Sequence, residues 1–151
     1  MRRLFTLAAI ALFASTASAQ IPGLRKRTGP VPPQQVAQMA GVDVVRADFL
    51  AHSGGDTIFF GVGSFGLSAP ARTALAAQAA WLRQHPEVTA RVEGHGDSGD
   101  TRDHAIAVGA RRAEEVRAYL VLMGIPAAQL STSSWGKERP GSPRAQTVLV
   151  R

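Results

Sequence analysis

Leu67, Ala71, Leu75, Ala79 and Leu82 recur at three- and four-residue spacing, and Ala113, Val116, Leu120 and Met123 repeat the pattern further on. Each set draws a single apolar stripe along a helix, so each helix has one face to bury and one to leave in water. Ser68 can cap the first helix, Pro70 is tolerated in its first turn, and Pro86 stops it. Gly124 stands where the second needs a C-terminal cap. Between and around the helices lie short β-rich runs: Thr57-Ile58-Phe59-Phe60, the alternating Val88, Ala90 and Val92, Leu130 to Trp135, and Thr147 to Val150. The order is strand, helix, strand, helix, strand, strand. Two helices cannot cover both faces of a four-stranded sheet, so an α+β fold is expected, a two-layer βαβαββ sandwich.

The segment before this domain reads differently. Met1-Arg2-Arg3 gives a positive start, Leu4 to Ala14 is an uncharged apolar run, and Ala17-Ser18-Ala19 supplies the small-x-small pattern of a signal-peptidase site. Residues 1–19 are therefore expected to be a cleaved signal peptide, leaving Gln20 first. The run is too short for a membrane span, which takes about 20 apolar residues, so a soluble periplasmic product is expected. Residues 20–35 hold Pro22, Pro30, Pro32, Pro33 and the basic run Arg25-Lys26-Arg27 with almost no large apolar side chains, the composition of a flexible linker. Over 36–55 a helical turn at Val36 to Met39 and an edge strand at Val42 to Leu50 are expected, then a turn at Ser53-Gly54-Gly55. The main domain is placed at 56–151.

Composition removes several function classes. There is no cysteine, which excludes disulfides, thiolate metal sites, thiol catalysis and a lipid anchor carried on a cysteine. The net charge of +6 is scattered, and no aromatic residues interleave with the basic ones, so nucleic-acid binding is not expected. His52, His95, Asp97, Asp100, Asp103 and His104 form no His-x-x-x-His pattern, and Gly-x-Ser-x-Gly does not occur. The reading is a non-enzyme without metal or cofactor.

Three segments carry a family resemblance. Val92-Glu93-Gly94-His95-Gly96-Asp97 ends the second strand, Gly109-Ala110-Arg111-Arg112-Ala113 opens the second helix, and Ser134-Trp135-Gly136-Lys137-Glu138-Arg139-Pro140 follows the third strand. This series resembles the OmpA-like domain family, especially its peptidoglycan-associated lipoprotein branch, with VEGHAD, G-x-R-R-A and S-Y-G-K-E-x-P motifs in that order. The resemblance implies a mixed sheet with both helices on one side. It also implies non-covalent binding to the diaminopimelate of peptidoglycan stem peptides in the cell envelope, with Asp97 and Arg112 in the ligand-binding positions.

The chemistry is reasonable for those residue types. Diaminopimelate ends in an ammonium and a carboxylate on one carbon; Asp97 can accept from the first and Arg112 can grip the second with two parallel bonds. With Gly109 as the cap, Arg112 falls in the first helical turn, where free N–H groups favour an anion. Thr101, Gly109 and Arg111 are accessory candidates. The same two residues can equally form an internal ion pair with no ligand. His95 is expected as a hydrogen-bonded structural residue, and Trp81 and Trp135 as packing residues. Compared with the family pattern, Ala105 replaces an asparagine, Gly61 and Gly63 stand near missing aspartates, and Arg144-Ala145-Gln146 replaces Asn-Arg-Arg. These changes leave a second reading open, an envelope scaffold that keeps the fold, has lost the site and binds outer-membrane or periplasmic proteins.

Overall fold

The structure is a computed structural model that describes residues 33–139 and 141–150. The expected signal peptide and nearly all of the expected linker lie outside the described residues. In chain order the elements are α1 (Pro33–Ser53), β1 (Thr57–Phe59), α2 (Ala69–Gln84), β2 (Thr89–His95), α3 (Arg102–Leu122), a 3-10 turn (Ala127–Gln129), β3 (Leu130–Gly136) and β4 (Arg144–Val150). The four strands form one sheet in the order β1-β4-β2-β3. β4 runs antiparallel to both β1 and β2, and β3 runs parallel to β2. From β1 onward this is the expected α+β sandwich with a mixed sheet.

α2 begins as its sequence dictates. Ser68 caps it, its hydroxyl accepting from the Ala71 amide at 3.3 Å. Leu75, Ala79 and Leu82 are buried in one core with Val88 and with Ala90 and Val92 of β2, and Val116 and Leu120 of α3 join it. Gln129 closes the corner where α2 leads into β2. Its side-chain amide donates to the carbonyls of Leu82, His85 and Val88, at 3.3, 3.1 and 2.7 Å.

Two expectations require correction. Val42 to Leu50 is not an edge strand but lies within α1, whose Val42, Val45 and Phe49 fall at helical spacing and turn inward. The three valines suggested a strand. Packing overrides that preference, because Phe49 is fully buried and meets Trp81 edge-on with centroids 5.1 Å apart. The Trp81 indole N–H also donates to Asp48 Oδ2 at 2.8 Å. The second correction concerns α3, which starts at Arg102, capped by the Thr101 hydroxyl at 3.4 Å from the His104 amide. Gly109 is therefore mid-helix and no cap.

Gly109 is needed there for closeness. A Cβ on Gly94 of β2 would stand 1.8 Å from the Gly109 carbonyl oxygen, and one on Gly96 would stand 2.3 Å from that of Ala105. The two elements touch backbone to backbone, which only hydrogen side chains permit. Where the VEGHAD motif has alanine, this chain has Gly96. At this end α3 meets Gly96 through Ala105, which is buried.

Candidate functional site

Strand directions bring three loops to one end of the sheet. β1 and β2 finish there, β3 finishes beside β2, and β4 starts there, with His95 opposite Arg144 and Phe59 opposite Arg144 on its other side. Residues 60–68, 96–101, 137–139 and 141–143 therefore converge. The Gly96 amide donates to the Gly136 carbonyl at 2.7 Å, and the Lys137 ammonium to the Asp100 carbonyl at 2.6 Å.

Asp97 and Arg112 meet in this corner. Arg112 Nη1 donates to Asp97 Oδ1 at 2.8 Å, and Nη1 also reaches the His95 carbonyl at 2.8 Å. Nε donates to the Ser64 carbonyl at 2.8 Å, and Nη2 to the Gly61 carbonyl at 3.0 Å. The Arg112 side chain is 0% exposed. The other Asp97 oxygen, Oδ2, accepts from the Gly63 amide at 2.5 Å. Burial pushes the Asp97 carboxyl upward, but the Arg112 hydrogen bond, the Gly63 amide and the Arg112 charge together hold it below the usual aspartate value. The ion pair is thus internal, and its remaining valences are filled by the His95 carbonyl of β2 and the backbone of the β1–α2 loop.

The expected first-turn setting of Arg112 does not hold. It lies near the middle of α3, so its cationic head is stabilised by Asp97 and three carbonyls rather than placed beside free helix amides. Of the accessory candidates, Thr101 is the α3 cap and Gly109 the point of contact with Gly94. Arg111 is exposed, its guanidinium over the Phe65 ring at 5.5 Å. The loop residues Gly61, Gly63 and Ser64 were not singled out by their chemistry, since they act through backbone atoms. The glycine spacing of Gly61, Gly63 and Gly66 was the one signal available.

The profile of the OmpA family matches residues 59–148. The chain belongs to the OmpA family. A peptidoglycan-associated lipoprotein of Mesorhizobium japonicum is 48% identical over 86 residues, 57% of this chain and 51% of the relative. One of Brucella melitensis is 35% identical over 144 residues, 93% of this chain and 85% of the relative. The chain spans about half the length of the first of these relatives. The crystal structure of the Burkholderia pseudomallei peptidoglycan-associated lipoprotein superposes with a TM-score of 0.61 at 29% identity, over 63% of this chain and 90% of that one. The C-terminal domain of Helicobacter pylori MotB shares the fold, with a TM-score of 0.59 at 21% identity over 64% of this chain and 84% of that one.

One further group of this OmpA-family domain is unusual. His95 projects from β2 on the side of the sheet away from α3, beside Arg144 and two residues from Glu93. The residue is 1% exposed, and neither ring nitrogen has a hydrogen-bond partner among the described residues, contrary to the expected hydrogen-bonded role. Its carbonyl serves Arg112; its ring does not. Burial, then the charges of Arg144 and Arg139, lower its pKa from 6.5 to about 4, against the opposing pull of Glu93. The folded state therefore holds His95 neutral while the unfolded chain takes up a proton below pH 6.5. Stability contributed by this group is complete above pH 6.5 and falls as pH drops from 6.5 to 4. The loss is at most about 3 kcal/mol. Urea denaturation of the chain and of His95→Leu at pH 7 and pH 4.5 checks this, the variant being expected to lose the slope between them.

Trp81 is buried in the core as expected, while Trp135 is half-buried with the Arg139 guanidinium 3.7 Å from its ring centroid. Arg139 also bridges Glu93 at 2.7 Å. Among the described residues no group of three His, Asp or Glu side chains is placed to hold a metal ion, and no helix is long and apolar enough to cross a membrane.

Proposed function

We propose that this chain is an exported, periplasmic protein of the cell envelope whose OmpA-family domain binds peptidoglycan non-covalently, without catalysis. The ligand is the free ammonium–carboxylate end of diaminopimelate in the stem peptide, taken by Asp97 and Arg112. The observation that carries the reading is the buried Asp97–Arg112 pair at the corner where three loops converge, 2.8 Å apart and held in register by β2 and α3. An anion beside a fork of donors is the complement of an α-amino acid end. The names of the relatives support the polymer, and the start of the sequence supports export through a signal peptide over residues 1–19.

A second reading is favoured by one feature. Polar residues of the family pattern are replaced here, with Ala105 buried against Gly96 where that pattern has asparagine. A domain so altered can keep the fold as a scaffold that docks envelope proteins.

Retention on purified sacculi separates the two. Asp97→Asn keeps the volume but removes the charge and leaves one acceptor oxygen for the two donors, Arg112 Nη1 and the Gly63 amide. The chain is expected to co-sediment with sacculi and the variant to lose at least tenfold in retention, equivalent to about 1.4 kcal/mol, at unchanged circular dichroism. Equal retention of both, or of neither, defeats the reading and leaves the scaffold.

A further inference from the structure

The loop between β1 and α2 supplies the Asp97–Arg112 pair with the same kinds of groups that a zwitterionic ligand would bring. One N–H, from Gly63, donates to Asp97 Oδ2, where an ammonium would donate. Two carbonyl oxygens, of Ser64 and Gly61, accept from Nε and Nη2 of Arg112, where a carboxylate would accept. We infer that residues 61–66 are a built-in occupant of the site, so that a ligand binds by exchanging places with this loop rather than by filling an open pocket. The inference rests on the proposed zwitterion-binding role of Asp97 and Arg112 and adds the device that controls access to them.

Three observations make this loop suited to exchange. First, all six residues from Gly61 to Gly66 are exposed, Val62 at 86% and Phe65 at 38%, so the apolar burial lost when the segment moves is confined to the covered part of the Phe65 ring. Phe65 rests on the exposed Arg111 guanidinium, a contact on the outer surface. Second, the segment is bounded by anchored residues. Phe60 and Leu67 pack against the core, and the Phe60 amide is bonded to the Pro143 carbonyl at 3.0 Å. Third, what pins the loop is polar and directed at a fully buried cation.

That last point sets the thermodynamics. If the loop lifts with nothing in its place, Arg112 loses two acceptors and Asp97 a donor in a dry corner, and unpaired buried charge is costly. The closed loop is therefore the resting state. If an anion and an ammonium arrive together, the valences are refilled and the lifting becomes affordable in free energy. A lone carboxylate or a lone amine restores only one side, so the exchange selects for both groups on one carbon. Apparent affinity is the intrinsic affinity reduced by the rarity of the open loop.

Gly63 offers the means to shift that balance without touching Asp97 or Arg112. It has φ +65°, and a Cβ there meets nothing within 4 Å. Gly63→Ala strains the closed loop without a clash and costs the left-handed conformation. The probe is a synthetic stem tripeptide ending in diaminopimelate, titrated calorimetrically into the full chain and into Gly63→Ala. Hydrogen exchange of the Gly63 amide is followed with and without saturating peptide. The variant is expected to bind about five- to tenfold tighter, and the Gly63 amide of the unaltered chain to exchange faster when peptide is bound. Binding seen only with Gly63→Ala also supports self-occupation. Peptide binding with unchanged or slower Gly63 exchange, or weaker binding by the variant, overturns the exchange while leaving the proposed ligand intact. No binding by either protein overturns both.

Discussion

Replacing Arg112 with alanine is expected to cost this domain about 3–5 kcal/mol of stability, lowering its melting temperature by roughly 10–20 °C. Most of that cost comes from what is left behind. Asp97 remains 6% exposed with the Gly63 amide as its one donor, and the carbonyls of Gly61, Ser64 and His95 lose their shared partner. A buried ion pair adds little over well-packed apolar groups, but breaking it from one side leaves an uncompensated charge. Arg112→Lys is expected to rescue little, because an ammonium on a shorter stem cannot reach acceptors fanned around a planar guanidinium. Thermal melts followed by circular dichroism check both variants. A shift of only a few degrees for Arg112→Ala would show that the corner is not holding the loop to α3.

Gly94→Ala is expected to be at least as damaging, for a steric reason. The added methyl would sit 1.8 Å from the Gly109 carbonyl oxygen and 2.7 Å from its carbon, both backbone atoms of α3. No rotamer change relieves this, so the helix must back away from β2, at a cost above the roughly 1–3 kcal/mol of ordinary overpacking. The displacement also carries Arg112, three residues beyond Gly109, away from the carbonyls it holds. Gly99→Ala is the control, since a Cβ there meets nothing within 4 Å and the change should stay within about 0.5 kcal/mol. A soluble Gly94→Ala protein with the urea midpoint of the control would refute the backbone-contact account.

The sequence carried a good deal of this. The helical stripes of α2 and of the second half of α3, the Ser68 cap, the Pro86 stop and the four strands all follow from local periodicity and turn chemistry, which act over a few residues and leave a readable trace. The first half of α3 left a weaker trace. Arg102, Asp103 and His104 are polar, and Gly109 looks like a cap when the partner at Gly94 is unseen. The valines of α1 suggested a strand for the same reason, since whether this stretch pairs with a sheet edge or packs through Phe49 on Trp81 is a question of what is nearby.

The site divides along the same line. That Asp97 and Arg112 bear opposite charges able to meet is determined by the sequence through their residue types. Whether they face solvent or each other is decided only in three dimensions. Gly94 and Gly96 let α3 lie against β2, which draws Arg112 into the interior, and a charge brought there must find every partner within the protein. The loop that supplies most of those partners does so with backbone N–H and C=O groups common to all residues, so beyond its glycine spacing the sequence left no mark of it.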